Sequence, residues 1–501
     1  MSAPDPTASP SLPRVLGLRD VVLLYATAIV SIQWVSTAAQ LGPASVPLWA
    51  LALVVFFIPS GLAVMELASR YDGEGGLYVW VKSAFGDVHG FVAGWAYVVS
   101  TLVYFPTLLL FIAGAVARVA GMAWPVLNDS RLFSAAVALL VVWLVIGVNI
   151  IGLRHAARIT NACAINMGGV LVILVAGSLA CAARFGSATT FAGQWRPDLA
   201  DPQLFKSFTT MMFALVGLEL APLMGSEIRD PQRVIPRAIP IAGGLIMAFY
   251  VLGTTALLVA LPKEQIASIT GIAEAVLVVT ERLGWPSLGA PVVLLMAVGS
   301  VGVLAAWVAG IVRLPYVVGI DRHLPAALGR LHPRWRSPHV ALLSVGGITT
   351  ALLLLALAGT SVGDAYQVLV DMTVALTFIP IAYMFLALPV LRWRHVGDRP
   401  GLHRVPGGFA GLALVSGLGF VSTLAAIVCA FVPPATGDAL IFYAKLLGGC
   451  VLFLGLGLTL YVSTPHPDKT DAVGTRSEPD TCPALRVPRI RRLRLISNKG
   501  T

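Results

Sequence analysis

The sequence predicts an all-α membrane protein with twelve transmembrane helices, and three observations carry this prediction. Of the 501 residues, 57% are hydrophobic and only 12% are charged, whereas soluble globular proteins carry roughly 25% charged residues. The apolar residues form repeated runs of about the 20 residues that cross a bilayer as a helix. Most of the 34 Lys and Arg residues lie on one side of these runs, as expected for cytoplasmic loops. We therefore expect one membrane domain in a lipid bilayer.

The twelve apolar segments alternate with short polar loops. They cover approximately 20–41, 46–70, 88–118, 132–152, 160–183, 207–225, 237–261, 290–319, 339–359, 365–391, 410–432 and 440–462. The charge bias places both termini in the cytoplasm, which agrees with an even number of spans. We expect a disordered cytoplasmic segment over 1–16, the helical domain over 17–463 and a basic cytoplasmic tail over 464–501.

Composition and motifs argue against several function classes. The net charge of +10 follows from membrane topology, so we predict no nucleic-acid partner. The chain contains no HExxH or GxxxxGK[ST] motif, which argues against a metalloprotease and an ATP-driven pump. The five cysteines show neither pairing nor metal-ligand spacing, and we interpret them as packing residues. We predict no enzyme activity, no metal and no cofactor.

Four ionisable residues lie inside predicted spans, where such residues are costly and usually functional. Glu66 and Arg313 lie near a membrane interface, where they can pair, so we expect structural roles for both. Asp371 leaves two alternatives open, a partner for substrate or ion and a buried hydrogen-bonded residue. Glu219 is the deepest of the four, and we expect it to gate the site or to carry a proton, because desolvation favours the neutral form of a carboxyl.

Glu219 also lies at a predicted break in span 6. Gly217 weakens a helix because it lacks a Cβ atom, and Pro222 removes a backbone donor and clashes with the preceding turn. Free backbone groups at mid-membrane are tolerated only where they line a cavity. Secondary transporters build substrate sites from such discontinuous helices. The alternative is a span that is only kinked, with its glutamate satisfied by a neighbouring helix.

An inverted repeat would place a matching break five spans earlier, in span 1. That span contains a patch of small residues and the polar Gln33, but no glycine before Gly42. This composition is compatible with local unwinding and does not require it.

Three motifs follow one another between the predicted spans. They are MELASRYDGEGGLYVWVKSAFGDVHGFVAGW at 65–95, GLELAPLMGSEIRDPQRVIPRAI at 217–239 and GIDRHLPAALGRLHPRWRSPHVALL at 319–343. With the three motifs in this order, the chain resembles the amino acid–polyamine–organocation transporters through nearly all twelve spans. The stretch 56–81 looks closest to the glutamate/GABA antiporters within that superfamily.

The resemblance implies both a fold and a function. The fold would be a five-plus-five inverted repeat, 17–185 and 205–392, with discontinuous helices 1 and 6 and two additional C-terminal helices over 410–463. The function would be secondary active transport of amino acids across a bacterial cell membrane by alternating access, through symport or exchange. Coupling to H⁺ or Na⁺ stays open, and so does the oligomeric state, with a homodimer among the alternatives. A polyamine or organic cation carrier, with Glu219 and Asp371 as counter-charges, is the second reading, and a non-transporting membrane sensor the third.

The resemblance also implies the substrate-binding residues. Backbone groups of the two broken helices would hold the ends of the amino acid, and aromatic rings would cover its side chain, while Glu219 links helices and gates the pocket. The implied residues are Ala28, Ile29, Val30, Ser31 and Ile32 in helix 1, Tyr97 in helix 3, Phe213, Ala214, Leu215 and Gly217 in helix 6, and Trp307 in helix 8. Two departures stand out: the family's glycine-rich signature is absent at 28–32, and 161–169 lacks the helix 5 lysine of some proton-coupled relatives.

Overall fold

The structure, a computed structural model, describes residues 14–71, 75–314, 324–358, 361–394, 403–433 and 439–463. The expectations for 1–13 and for the basic tail 464–501 lie outside the described residues. The part of the third motif around Asp321 lies outside them as well.

The described residues fold into helices joined by turns. In chain order they are α1 Leu18–Ile29, α2 Gln33–Ala39, α3 Ser45–Ala52, a π-helical stretch Leu53–Phe57, α4 Ile58–Arg70, α5 Gly76–Phe85, α6 Asp87–Ala120, α7 Arg131–Ile151, α8 Leu153–Phe185, α9 Pro202–Phe213, α10 Leu220–Leu223, α11 Pro231–Ala260, α12 Gly271–Arg282, α13 Pro286–Ile311, α14 His339–Leu357, α15 Val362–Arg394, α16 Gly408–Ala430 and α17 Ala439–Ser463.

Many of these helices can cross a membrane. Within the described ranges, 10 helical segments are long and apolar enough to do so, or up to 11 if the bent pair α1 and α2 counts as one span. The all-helical membrane fold is therefore confirmed. The total of twelve spans and the inverted repeat stay predictions, because α9 and α10 are each too short to span alone.

The core of the bundle surrounds α6. This helix is almost wholly buried, and it packs against α5, α13 and α15. The peripheral helices instead carry exposed apolar side chains, among them Leu140 on α7, Val172 on α8 and Leu414 on α16. Because all backbone groups of a helix are satisfied internally, such apolar outer faces suit contact with lipid.

Two interruptions divide otherwise continuous spans. The chain leaves helical conformation between Ile29 and Gln33, and the axes of α1 and α2 differ by 50°. It does so again between Phe213 and Leu220. α9 begins at Pro202 because the Asp201 side chain accepts the Gln203 N–H at 2.9 Å and proline suits the first helical position.

The chain ahead of α1 is attached to the chain after α10. The N–H groups of Val15 and Leu16 donate to the carbonyl of Glu227 at 2.9 and 3.0 Å, and the Arg229 N–H donates to the Leu16 carbonyl at 2.9 Å. The predicted boundary of a disordered segment at residue 16 is therefore wrong for Val15 and Leu16. Their backbone is held through contacts with residues more than two hundred positions away, which local composition does not reveal.

Buried ion pairs hold the same end of the bundle. Glu66 pairs with Arg70 at 3.0 Å and with Arg392 at 3.5 Å, and it accepts the Val405 N–H at 2.8 Å. Glu227 and Arg313 form a second buried pair at 3.0 Å. Both carboxylates are satisfied, which a buried charge requires.

Candidate functional site

The two helix interruptions lie against each other. Gly217 has a φ of 135°, and a Cβ atom there would lie 2.8 Å from Cγ1 of Ile29 and 3.5 Å from Cζ2 of Trp307. Only glycine adopts this backbone conformation without strain. The second interruption therefore uses glycine to approach the last residue of α1.

The first interruption forms without glycine, because side chains replace the lost helical hydrogen bonds. Trp307 donates from Nε1 to the Ala28 carbonyl at 2.8 Å, and Tyr250 donates from its hydroxyl to the Ile29 carbonyl at 2.6 Å. Val30 then takes an extended conformation, with φ −70° and ψ 106°, which any residue adopts easily. The missing glycine signature at 28–32 is thus compatible with unwinding.

Tyr250 on α11 joins the two interruptions. Its hydroxyl accepts the Ser31 N–H at 3.2 Å and lies 3.1 Å from the Ala214 carbonyl, besides its contact with Ile29. The ring stacks on Trp49, with centroids 4.4 Å apart and planes inclined by 12°. Sequence reasoning missed Tyr250, although a single tyrosine in the apolar run MAFYVLG (247–253) is a signal that could have found it.

Glu219 binds one residue of its own interruption and one of α6. Tyr97 donates from its hydroxyl to Oε1 of Glu219 at 2.8 Å, and the Gly217 N–H donates to Oε2 at 3.2 Å. The carboxyl group is buried, with 3% of the residue exposed. The structure therefore brings Tyr97, Gly217 and Glu219 together as one hydrogen-bonded group.

Aromatic rings form a continuous cluster beside the interruptions. Phe213 meets Trp34 edge-on at 5.4 Å and Tyr104 at 5.9 Å. Tyr104 lies 6.0 Å from Trp307, which in turn lies 6.3 Å from Tyr97. The sequence pointed to Phe213, Trp307 and Tyr97 and missed Trp34 and Tyr104, which single helices cannot identify as neighbours.

Buried polar atoms without a partner occur in the same region. Within the described ranges, the Ser31 hydroxyl and both polar atoms of the Gln33 side chain have no hydrogen-bond partner. Such atoms are rare in proteins because their desolvation is uncompensated. They mark positions where a polar ligand or water would be favoured.

Asp371 is engaged elsewhere. It accepts from Nζ of Lys206 at 2.8 Å and from Nε2 of Gln367 at 3.2 Å, and the Lys206 ammonium also lies 5.1 Å from the centroid of the Phe442 ring. Asp371 is thus buried and hydrogen-bonded in the structure, and a gating or proton-carrying role for it stays a prediction. Lys206 is itself buried, and the ion pair compensates its charge inside the bundle.

The assembled groups are suited to reversible binding of a small polar molecule. Within the described part of the chain, no group of three or more His, Cys, Asp or Glu side chains could hold a metal ion. The interruptions supply backbone donors and acceptors, one carboxyl group and several aromatic rings. These are the recognition elements of a small zwitterion with an apolar part.

Comparisons with known proteins identify the family and the fold of this chain. The sequence matches the family model described as amino acid permease over residues 16–454. An uncharacterized transporter of Legionella pneumophila is 28% identical over 447 residues, which cover 88% of this chain and 95% of that protein. A glutamate/gamma-aminobutyrate antiporter of Lactococcus lactis is 24% identical over 394 residues, covering 76% of this chain and 77% of that protein. The crystal structure of MhsT in complex with L-phenylalanine matches with a TM-score of 0.60 and 14% identity, over 87% of this chain and 100% of that chain. At this identity, the structural likeness shows the fold alone.

Proposed function

The chain belongs to the amino acid permease family, and on this premise we propose that it carries amino acids across the cell membrane by alternating access. The family resemblance predicted from the three motifs is confirmed, and membership indicates a membrane transporter rather than an enzyme. The observation that supports alternating access most directly is the pair of adjacent helix interruptions. They bring backbone groups that lack helical hydrogen bonds to the middle of the bundle, where such groups are tolerated only at a cavity or a site.

A zwitterion fits the groups at the interruptions. Its carboxylate would bind the Ser31 N–H and the neighbouring amides, and its ammonium would bind the carbonyls of Ile29 and Ala214. The Tyr250 hydroxyl now contacts one of these donors and both acceptors. We therefore expect the substrate to displace the hydroxyl when it binds.

The aromatic cluster and Glu219 would close the pocket. Phe213 and Trp307 would cover the substrate side chain, and the unpartnered amide of Gln33 would favour a polar group on it. Because the Glu219–Tyr97 bond joins α6 to the interruption, its making and breaking would couple substrate binding to movement of α9 and α10.

The structure weakens the polyamine alternative. That reading needs two free counter-charges, and the Asp371 carboxylate already has the Lys206 ammonium at 2.8 Å. Only Glu219 would be left to bind a diamine. No observation favours a non-transporting sensor.

Transport by the purified protein tests the proposal. The full chain is reconstituted into proteoliposomes, and uptake of a mixture of ¹⁴C-labelled L-amino acids is followed. We expect saturable uptake that is competed by an unlabelled amino acid but not by putrescine. Gly244→Ala is a matched control for assembly, because a methyl group at Gly244 meets no atom within 4 Å. Uptake no greater than that of protein-free liposomes, from protein that elutes as a single species, would contradict the proposal.

The transport mode requires a second measurement. Uptake that depends on unlabelled amino acid inside the liposomes would indicate exchange, whereas uptake driven by an imposed H⁺ or Na⁺ gradient would indicate symport. The helix 5 stretch 161–169 carries no lysine, so we propose exchange as the mode to test first.

A further inference from the structure

A second polar cavity lies at one end of the bundle, away from the interruptions. Its volume is about 560 Å³, and it is bounded by the end of α6, the turn before α7, the turn before α12 and the start of α15. Small-molecule sites occupy roughly 300–1,000 Å³. The predicted topology places this end outside the cell, because α6 crosses from the cytoplasm outwards. None of the residues proposed above to bind substrate lines this cavity.

The cavity is lined by polar groups that the protein does not satisfy. The Nε atom of Arg118 and the hydroxyl of Tyr366 are buried and have no hydrogen-bond partner within the described ranges. Tyr366 is 2% exposed, so its hydroxyl has little access to solvent except through the cavity. The guanidinium of Arg118 has no ion-pair partner among the described residues, and a part-buried cation of this kind favours an anion.

An acid in the same lining provides the opposite charge. Glu274 accepts the Thr270 hydroxyl at 3.0 Å, which fixes one of its oxygens and leaves the other available. Among the described residues Glu274 also has no ion-pair partner. Asp129 lines the cavity as well, so one cavity holds a cation and two acids, and among the described residues none of these three forms an ion pair.

A chain of hydrogen bonds connects the cavity to the broken span. Gln367 lines the cavity, and its Nε2 donates to Oδ1 of Asp371, whose Oδ2 binds the Lys206 ammonium on α9. A ligand that draws Gln367 towards itself would remove one of the two hydrogen bonds that hold Asp371. The cavity is therefore connected to the helix that carries Phe213.

We propose that this cavity is a second amino acid site, which captures a zwitterion from outside before it reaches the helix interruptions. The Arg118 guanidinium and the Tyr366 hydroxyl bind the carboxylate, and Glu274 binds the ammonium. This inference rests on the proposed transport of amino acids. It adds a binding step that precedes opening of the Lys206–Asp371 pair.

Binding to the purified chain tests the site directly. The full-length protein in detergent is titrated with the ¹⁴C-labelled L-amino acid mixture in equilibrium dialysis. We expect about two sites per chain in the wild type and in Arg131→Gln, which removes an exposed arginine at the same end but outside the cavity lining. Arg118→Gln should weaken one of the two sites about tenfold or more, since it removes a charge-assisted hydrogen bond. Equal binding by wild type and Arg118→Gln overturns the site.

Transport kinetics in intact cells show whether the cavity acts on uptake, on efflux or on both. Arg118→Gln should raise the apparent KM for uptake from the medium about tenfold, with a smaller rise for Tyr366→Phe. The apparent KM for efflux from loaded cells should stay unchanged, because the inner route does not pass the cavity. Arg118→Lys, which keeps the charge, should recover part of the loss and also shows that the position tolerates substitution. An equal change in both directions would indicate a general structural defect and overturn the capture step.

Failure of this inference is distinguishable from failure of the proposed function. A wild-type chain that transports no amino acid contradicts transport, while dialysis still decides the outer site through its dependence on Arg118. A wild-type chain that transports amino acids with an external KM indifferent to Arg118 keeps transport and removes the outer site.

Discussion

The Tyr97 hydroxyl donates a 2.8 Å hydrogen bond to Oε1 of Glu219 and so ties α6 to the interruption between α9 and α10. Oε2 of the same carboxyl group accepts the Gly217 N–H. A substitution that removes either partner leaves a buried polar atom unsatisfied.

Tyr97→Phe removes the donor and little else. We expect the uptake rate to fall about tenfold, which corresponds to the usual cost of one unsatisfied buried acceptor. Uptake into proteoliposomes measures the rate, and Tyr461→Phe on α17 serves as a tyrosine control away from the interruptions. Uptake by Tyr97→Phe at the rate of the control would show that the bond has no part in transport.

Glu219→Gln tests whether this carboxyl takes up a proton. Glutamine cannot ionise, and its amide nitrogen cannot accept from Tyr97 or Gly217. We expect wild-type uptake to vary with pH across the acid and neutral range, and the variant to respond much less. Parallel pH profiles for the two proteins, measured on matched amounts of reconstituted protein, would assign the titration to another group.

Tyr250→Phe removes the hydroxyl that contacts both interruptions. Without substrate, the variant should unfold at a lower temperature than the wild type, because the Ser31 N–H loses its acceptor. With substrate, the variant should gain more thermal stability than the wild type does, because the ligand supplies the missing partner. Thermal unfolding of each protein, with and without an unlabelled amino acid that it transports, measures the unfolding temperature and its rise on binding. An equal stabilisation of wild type and variant would show that the hydroxyl does not occupy the place of the substrate.

Gly217→Ala should abolish transport. The added methyl group would lie 2.8 Å from Ile29, and the φ of 135° is unfavourable for any residue with a Cβ atom. Gly244→Ala, in open surroundings on α11, should transport normally. Activity retained in Gly217→Ala would mean that the interruptions separate more freely than their contact indicates.

The Lys206–Asp371 pair predicts how single and double substitutions change the free energy of unfolding. Asp371→Leu or Lys206→Met alone should destabilise the protein by about 3–5 kcal/mol, because each leaves an uncompensated buried charge. The double substitution Lys206→Met with Asp371→Leu should recover much of that loss. Thermal unfolding of the four proteins gives the coupling between the two positions, and additive effects would show that the pair contributes no mutual stabilisation.

Part of the site was predictable because its signals are local. Gly217, Glu219 and Pro222 lie within six positions, and together they predicted an interruption near mid-membrane. The equivalent interruption in the first span had no such signal, because Val30 is simply extended and the freed carbonyls of Ala28 and Ile29 are satisfied by Trp307 and Tyr250. A local pattern does not report a partner on another helix.

The sequence by itself determined the membrane class, most of the helices, the family and the glycine-bounded glutamate. Hydropathy, helix breakers and charge bias act over one span or one loop, so they can be read along the chain. Only the tertiary structure decided that Tyr250 joins both interruptions, that Trp307 binds a carbonyl 279 positions away, and that Asp371 is neutralised by Lys206, 165 positions away. These contacts exist because packing brings distant helices together in a medium of low dielectric, where every buried polar group needs a partner.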